Sequence, residues 1–212
     1  MSKSNVIIDL DNTIISCITN NQKNSSIISS LTSKYTSYHK LVEHNTTKYI
    51  IFERNNLKSF LDYIFENFNV SIWTAATRRY SSFVIQNVFK GRNIDYIFFD
   101  YHVDLSKKLY DQNPKHLNLL FDSFQLPNYN INNTILVDNL QSIANPTLPY
   151  KTYCCNSFNM IDCINTYNND NELQKIITYL KDIFNIPTTP IPTTPVPTTS
   201  TPTTPTPSVP KY

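Results

Sequence analysis

Short apolar runs alternate with amphipathic stretches through residues 5–185. Val6-Ile7-Ile8 reads as a short buried strand. So do Tyr49-Ile50-Ile51-Phe52, Val70-Ser71-Ile72-Trp73, Tyr96-Ile97-Phe98-Phe99 and Ile135-Leu136-Val137. Between them lie helical spacings. Leu57, Phe60, Leu61, Ile64, Phe65 and Phe68 follow the i, i+3, i+4, i+7, i+8, i+11 pattern, with Asn55 or Asn56 ahead as a cap. Residues 79–90 predict a helix that Gly91 can stop. Asn113 before Pro114 predicts a helix opening there and running through Phe124. A last helix places Leu173, Ile176, Ile177, Leu180 and Phe184 on one face. Residues 16–48 are polar and predict a long loop or a small β insertion. Continuous apolar strands separated by helices predict a doubly wound α/β domain, with a parallel sheet covered on both faces.

The pattern changes at residue 186. From there the chain reads IPTTPIPTTPVPTTSTPTTPTPSVPKY, which holds nine of the 13 prolines. Proline removes backbone donors and fixes φ, so this stretch predicts neither helix nor ladder. It reads as an extended, polyproline-II-like tail, either a spacer or a docking segment with repeated Thr-Pro. The domain is therefore expected to span 1–185 and the tail 186–212.

Composition narrows the chemistry mainly through what is missing. Gly91 is the only glycine. A Walker loop or dinucleotide fingerprint needs several, so that backbone amides can approach phosphate. Any phosphate chemistry here must use side chains and a metal. Cys17, Cys154, Cys155 and Cys163 lack zinc-site spacing, and the four histidines form no metal-binding pair. A formal net charge of +2, with no long Lys/Arg run, predicts no nucleic-acid arm. The apolar run near the start is too short for a signal peptide or membrane span, which predicts a soluble protein of the cytoplasm or nucleus. Richness in Asn and Ile fits an AT-biased genome, such as that of a protist or a large DNA virus.

Three strands end in unusual polar residues. Strand 6–8 runs into Asp9-Leu10-Asp11-Asn12-Thr13, strand 70–73 into Thr74, and strand 135–137 into Asp138-Asn139. In a doubly wound sheet the carboxyl ends of neighbouring strands meet at a crevice where ligands bind. Residues two apart in extended chain point the same way, so Asp9 and Asp11 can face one site while Leu10 packs oppositely. Crowded carboxylates demand a shared proton or a hard cation such as magnesium.

These residues resemble a family. Asp9-Leu10-Asp11-Asn12-Thr13 matches the DxDxT motif of the haloacid dehalogenase superfamily. Ser71 to Tyr80, with Thr74-Ala75 followed by Arg79-Tyr80, resembles a segment of the small CTD phosphatases, the FCP/SCP-like branch. Leu136-Val137-Asp138-Asn139 resembles their (I/L)-L-D-N motif, and Tyr49 to Arg54 their strand-R-P-helix element. The resemblance implies a fold without a large cap and a magnesium-dependent phosphoprotein serine/threonine phosphatase. Asp9 would be the nucleophile that forms an aspartyl-phosphate, and Asp11 the general acid/base. Asp9, the Asp11 carbonyl and Asn139 would hold Mg2+, supported by Asp138. Thr74 and Lys115 would bind phosphate, with Lys107 and Lys108 as rivals to Lys115. Arg79 and Tyr80 would line a peptide groove, Tyr80 being equally readable as a core aromatic. The implied partner is a phosphoprotein or phosphopeptide, the RNA polymerase II C-terminal repeat being one candidate. The alternatives are a small-molecule or nucleic-acid-end phosphatase, or an inactive scaffold. Ser81 after Tyr80 and Asn55 after Arg54 depart from the family's pattern.

Overall fold

Strand β1 (Asn5–Ile8) is buried along its whole length. It can be so apolar because both of its edges and both of its faces are covered. It pairs in parallel with β5 (Asn69–Trp73) on one side and β7 (Thr134–Asp138) on the other, Val6 standing opposite Val70 and Ile135. A computed structural model of the chain describes residues 3–44, 46–143 and 147–186. In it, β6 (Ile97–Phe98) and β8 (Lys151–Cys154) complete a five-stranded parallel sheet in the order β6-β5-β1-β7-β8. The chain winds outward from β1 through β5 to β6, then returns to build β7 and β8. The winding direction therefore reverses between β1 and β7, which fixes the crevice at their carboxyl ends.

Alternation within the strands separates two cores. Val6, Ile8, Val70, Ile72, Ile135 and Val137 face α2 (Leu57–Asn67), α5 (Glu172–Phe184) and the end of α3 (Arg78–Val84). Ile7, Trp73 and Leu136 face the other way. They pack with Val103 of α4 (Asp100–Leu109) and with Leu117, Leu119 and Leu120. Helices thus cover both faces, as the strand pattern requires.

Residues 16–48 form more than a loop. Strand β2 (Ile15–Thr19), helix α1 (Ser25–Lys34) and strand β3 (Tyr38–Glu43) precede β4 (Thr46–Glu53), and the strands make a separate antiparallel sheet in the order β2-β4-β3. Tyr49-Ile50-Ile51-Phe52 therefore lies outside the parallel sheet. Its run is continuous because β4 is the central strand of the small sheet. Ile51 faces the first core, while Ile50 and Phe52 face a third cluster with Ile28, Leu31, Phe158 and Met160.

Other expectations need correction. The helix expected from 79 begins at Arg78 and widens into a π-helical turn, Ile85–Phe89, before Lys90 and Gly91 take positive φ. The strand expected at 96–99 is only Ile97–Phe98. The helix expected from Asn113 to Phe124 reduces to a π-helical turn, Leu119–Ser123. Side chains hold the segment ahead of that turn. Asn113 Oδ1 accepts from the Lys115 amide at 3.0 Å, and Ser106 Oγ accepts from the His116 amide at 2.9 Å. The proline-rich stretch from 187 lies outside the described residues. Among the described residues no helix is long and apolar enough to cross a membrane.

Candidate active site

The polar strand ends converge at the crevice between β1 and β7. Asp9, Asp11, Asn12, Thr74, Ala75, Ala76, Lys115, Asp138, Asn139 and Leu140 line one cavity of about 340 Å³. Strands β1 and β5 deliver Asp9 and Thr74 one residue past their last ladder positions, whereas Asp138 is the last ladder position of β7. The Asp9 amide donates to the Val137 carbonyl at 3.0 Å, and the Thr74 amide to Phe98 at 2.9 Å. These backbone bonds fix where the two side chains leave the sheet.

Lys115 sits at the centre, 1% exposed. Its Nζ donates to Asp9 Oδ1 and to Asp138 Oδ2, both at 2.6 Å. An ammonium has three N–H donors, so one remains for the cavity. No helix dipole assists, because no regular helix begins at this residue. Lys115 is held instead by a pinned loop. Ser106 Oγ donates to the Asn113 carbonyl at 2.8 Å while accepting from His116 on the other side of Lys115. Lys107 and Lys108 sit in the last turn of α4, and among the described residues it is Lys115, not either of them, that bonds Asp9 and Asp138. Asp138 has both oxygens engaged, Oδ2 by Lys115 and Oδ1 by the Leu140 amide at 2.8 Å.

Thr13, the last residue of the DxDxT match, is a site residue that the sequence left without a role. Its hydroxyl lies 3.0 Å from Asp9 Oδ2 and 3.2 Å from Asn139 Oδ1. One hydroxyl proton can serve only one of two acceptors at a time. Asn12, at φ 60°, makes the left-handed turn that folds Thr13 back toward Asp9. The DxDxT spacing itself was the available signal. Arg54 secures this turn from beneath. It donates to the Thr13 carbonyl at 2.8 Å, to the Asn156 carbonyl at 2.9 Å and to Asp170 at 2.7 Å.

The charges do not balance. Burial pushes the Asp9 carboxyl up to about 7; Lys115 opposes this and Asp138 adds to it. Burial also raises Asp11 above the ordinary carboxylate range, against a hydrogen bond from Tyr80. Burial works to lower the Lys115 ammonium, but Asp9 and Asp138 together outweigh it and hold it above its ordinary value. One buried cation therefore faces Asp9 and Asp138, with Asp11 beside them. This oxygen-rich set, short of positive charge, fits a small hard divalent cation. The Asp9 carboxylate, the Asp11 carbonyl and Asn139 Oδ1 could hold it, with Asp138 fixed behind.

The remaining candidates separate. Arg79 is on the surface, its side chain 74% exposed, with Glu43 of β3 at 3.6 Å. Tyr80 turns inward. Its hydroxyl donates to Asp11 Oδ1 at 2.6 Å, and its ring packs edge-on to Tyr49 with centroids 5.8 Å apart.

The fold matches solved CTD phosphatases. The structure of Fcp1, an essential RNA polymerase II CTD phosphatase, aligns with a TM-score of 0.54 at 18% identity, covering 86% of this chain and 49% of that one. Fission yeast Fcp1 bound to beryllium fluoride gives 0.53 at 18% identity, covering 84% of this chain and 51% of that one. The chain thus spans about half the length of the Fcp1 chains it matches. Among curated proteins, the CTD phosphatase-like protein 355R of Invertebrate iridescent virus 6 is 30% identical over 187 residues, 85% of this chain and 97% of the relative. Its namesake in Invertebrate iridescent virus 3 is 37% identical over 105 residues, 46% of this chain and 55% of the relative. Residues 4–189 match the NLI interacting factor-like phosphatases, and the chain belongs to that family, a branch of the haloacid-dehalogenase-type phosphatases that hydrolyse phosphoric monoesters.

Proposed function

We propose that this chain is a magnesium-dependent phosphoprotein serine/threonine phosphatase that works through an aspartyl-phosphate on Asp9. The observation that carries the reading is the buried Lys115, bonded to Asp9 and Asp138 beside Asp11 in one cavity. In the first step an Asp9 oxygen attacks phosphorus, and the bond to the serine or threonine oxygen breaks. Asp11 gives its proton to that leaving oxygen. In the second step Asp11 takes a proton from water, the water oxygen attacks phosphorus, and Asp9 and inorganic phosphate are released. The Asp11 pKa, raised by burial, suits a group that must hold a proton until the leaving oxygen needs it.

Lys115 orients Asp9 and has one N–H left for a phosphoryl oxygen, and the Thr74 hydroxyl lines the same wall. Bound magnesium would offset the repulsion between the Asp9 carboxylate and a phosphate dianion. No residue of the β2–β4 insertion lines the cavity, which supports access by a phosphorylated peptide rather than a small molecule sealed under a cap. The RNA polymerase II C-terminal repeat is a candidate substrate, through the likeness to Fcp1. We place Arg79 on the surface where such a peptide would run, and assign 1–185 to the phosphatase domain and 186–212 to an appended tail.

The test compares wild type with Asp9→Asn and Asp11→Asn on phosphopeptides and nucleotides side by side, with magnesium or EDTA. Asp9→Asn should abolish turnover and covalent labelling by beryllofluoride. Asp11→Asn should abolish peptide turnover yet still bind beryllofluoride. Full activity of Asp9→Asn would end the mechanism, and preference for nucleotides would end the assignment to phosphoproteins.

A further inference from the structure

Tyr80 offers a feature that a wall of a peptide groove does not require. Its partly buried hydroxyl donates to Asp11 Oδ1 at 2.6 Å. The ring is held on both sides, by Tyr49 of β4 and by the apolar cluster under α2 and α3. Tyr80 lies in the first turn of α3, six residues after Thr74, so the same strand end that supplies Thr74 sets its position. The Cys17 thiol of β2 faces the same hydroxyl. Among the described residues no protein donor reaches Asp11 Oδ2.

We propose that Tyr80 is a positioning residue for the acid step, holding one oxygen of Asp11 so that the other carries the transferable proton. The inference rests on the role of Asp11 proposed above. Its chemistry is simple. In a neutral carboxyl group one oxygen is an acceptor and the other bears the proton. A tyrosine hydroxyl donating to Oδ1 selects Oδ1 as the acceptor and leaves the proton on Oδ2. Among the described residues Oδ2 has no competing hydrogen-bond partner, so its proton is available to a leaving oxygen. A tyrosine hydroxyl keeps its proton at neutral pH, so Tyr80 is a donor to that oxygen. Without it the carboxyl could rotate, and either oxygen could carry the proton in either direction.

The test uses leaving-group dependence. Phenyl phosphate and 2,4-dinitrophenyl phosphate are both too small to need a peptide groove, but only the first requires a proton on its departing oxygen. kcat/KM reports the steps through leaving-group departure. Tyr80→Phe keeps the ring and removes the hydroxyl. It should lower kcat/KM about 10-fold on phenyl phosphate and less than about twofold on dinitrophenyl phosphate, within the range that a general acid contributes. Asp11→Asn should show the same contrast more strongly. The double variant should be no slower than Asp11→Asn alone, since the hydroxyl acts only through that carboxyl. The ratio of the two substrates within one preparation cancels any loss of folded protein. Equal falls on both substrates, no fall on either, or a double variant slower than Asp11→Asn by the Tyr80→Phe factor would each overturn the positioning role. If Asp11→Asn itself showed no leaving-group contrast, the acid assignment would fail and take this inference with it. If Asp11→Asn showed the contrast and Tyr80→Phe did not, only the inference would fail.

Discussion

Replacing Asp9 with Asn should stabilise the metal-free protein at alkaline pH while destroying its function. The Asp9 carboxyl is raised from its ordinary 3.8 to about 7 by burial, net of the attraction of Lys115. The folded protein therefore holds that proton more tightly than the unfolded chain. Stability is unaffected by this group below about pH 4, falls as pH rises between the two values, and carries the full penalty above pH 7. At 1.36 kcal/mol per pH unit the penalty is about 4 kcal/mol. Asparagine removes the charge but keeps an oxygen for Lys115 and an amide for Thr13. Lys115 is then left in a balanced pair with Asp138. Allowing for imperfect amide geometry, about half the penalty should be recovered, roughly 2 kcal/mol, or about 4–8 °C in Tm for a chain of this size. Thermal unfolding in EDTA at pH 8 should show Asp9→Asn melting above wild type, and the gap should close near pH 4. Magnesium at pH 8 should raise the wild-type Tm and move Asp9→Asn much less. A variant that melts at or below wild type at pH 8 in EDTA would refute the account of the site as short of positive charge.

The other expectations follow from single contacts. Lys115→Met strands Asp9 and Asp138 together in a buried site, and should destabilise by about 3–5 kcal/mol in urea titrations. Steady-state turnover should fall about 10²–10³-fold with the loss of the donor aimed at phosphate. Ser106→Ala frees both the Asn113 carbonyl and the His116 amide, for about 1–3 kcal/mol, and should lower turnover although Ser106 touches nothing in the cavity. Arg54→Met leaves buried carbonyls and Asp170 unpaired, for about 3–5 kcal/mol. Hydrogen exchange should then show faster opening at residues 10–15, and unchanged exchange there would show that Arg54 does not hold the turn.

How much of this was legible depended on whether a residue's role lay in its own segment or in the contacts it makes across the fold. Asp9, Thr74 and Asp138 could be placed from sequence because each follows a buried strand. An apolar run on both sides of a carboxylate or hydroxyl is itself a statement about position. Asp9 and Asp11 share a face because extended chain repeats every two residues. Lys115 could be nominated but not explained. Its inward turn depends on Ser106, one serine in a helix whose buried positions, Val103 and Ser106, are too sparse to announce it. Helix α1 was hidden for a similar reason. Its serine-rich sequence buries only Ile28 and Leu31, so no apolar stripe marks it. The assignment of Tyr49-Ile50-Ile51-Phe52 to a second sheet could not be read either. A central strand gives the same apolar run in a small antiparallel sheet as in a large parallel one. For Tyr80 the sequence held two readings, groove and core. The structure shows a third arrangement, a partly buried ring packed against the first core with its hydroxyl on the Asp11 carboxylate.

The scarcity of glycine ties these strands of argument together. Turns that need positive φ still have to be made, and among the described residues nine non-glycine positions make them, four of them asparagines: Asn12, Asn56, Asn128 and Asn185. Asparagine tolerates the left-handed region better than other side-chain-bearing residues, because its short amide can bond locally. At Asn12 that choice sits inside the DxDxT segment. The turn there returns Thr13 to Asp9, and the Asn12 carbonyl accepts from the Phe158 amide at 2.6 Å. A glycine would make the turn as easily but would release more freedom in the unfolded chain. A loop without glycine cannot bring several amides against a phosphate. The site instead gathers a buried ammonium, a hydroxyl and an oxygen-rich pocket suited to a metal. On the function proposed above, the absence of a phosphate-binding glycine loop and the presence of a lysine-centred carboxylate cluster are two sides of one solution to the problem of holding a dianion.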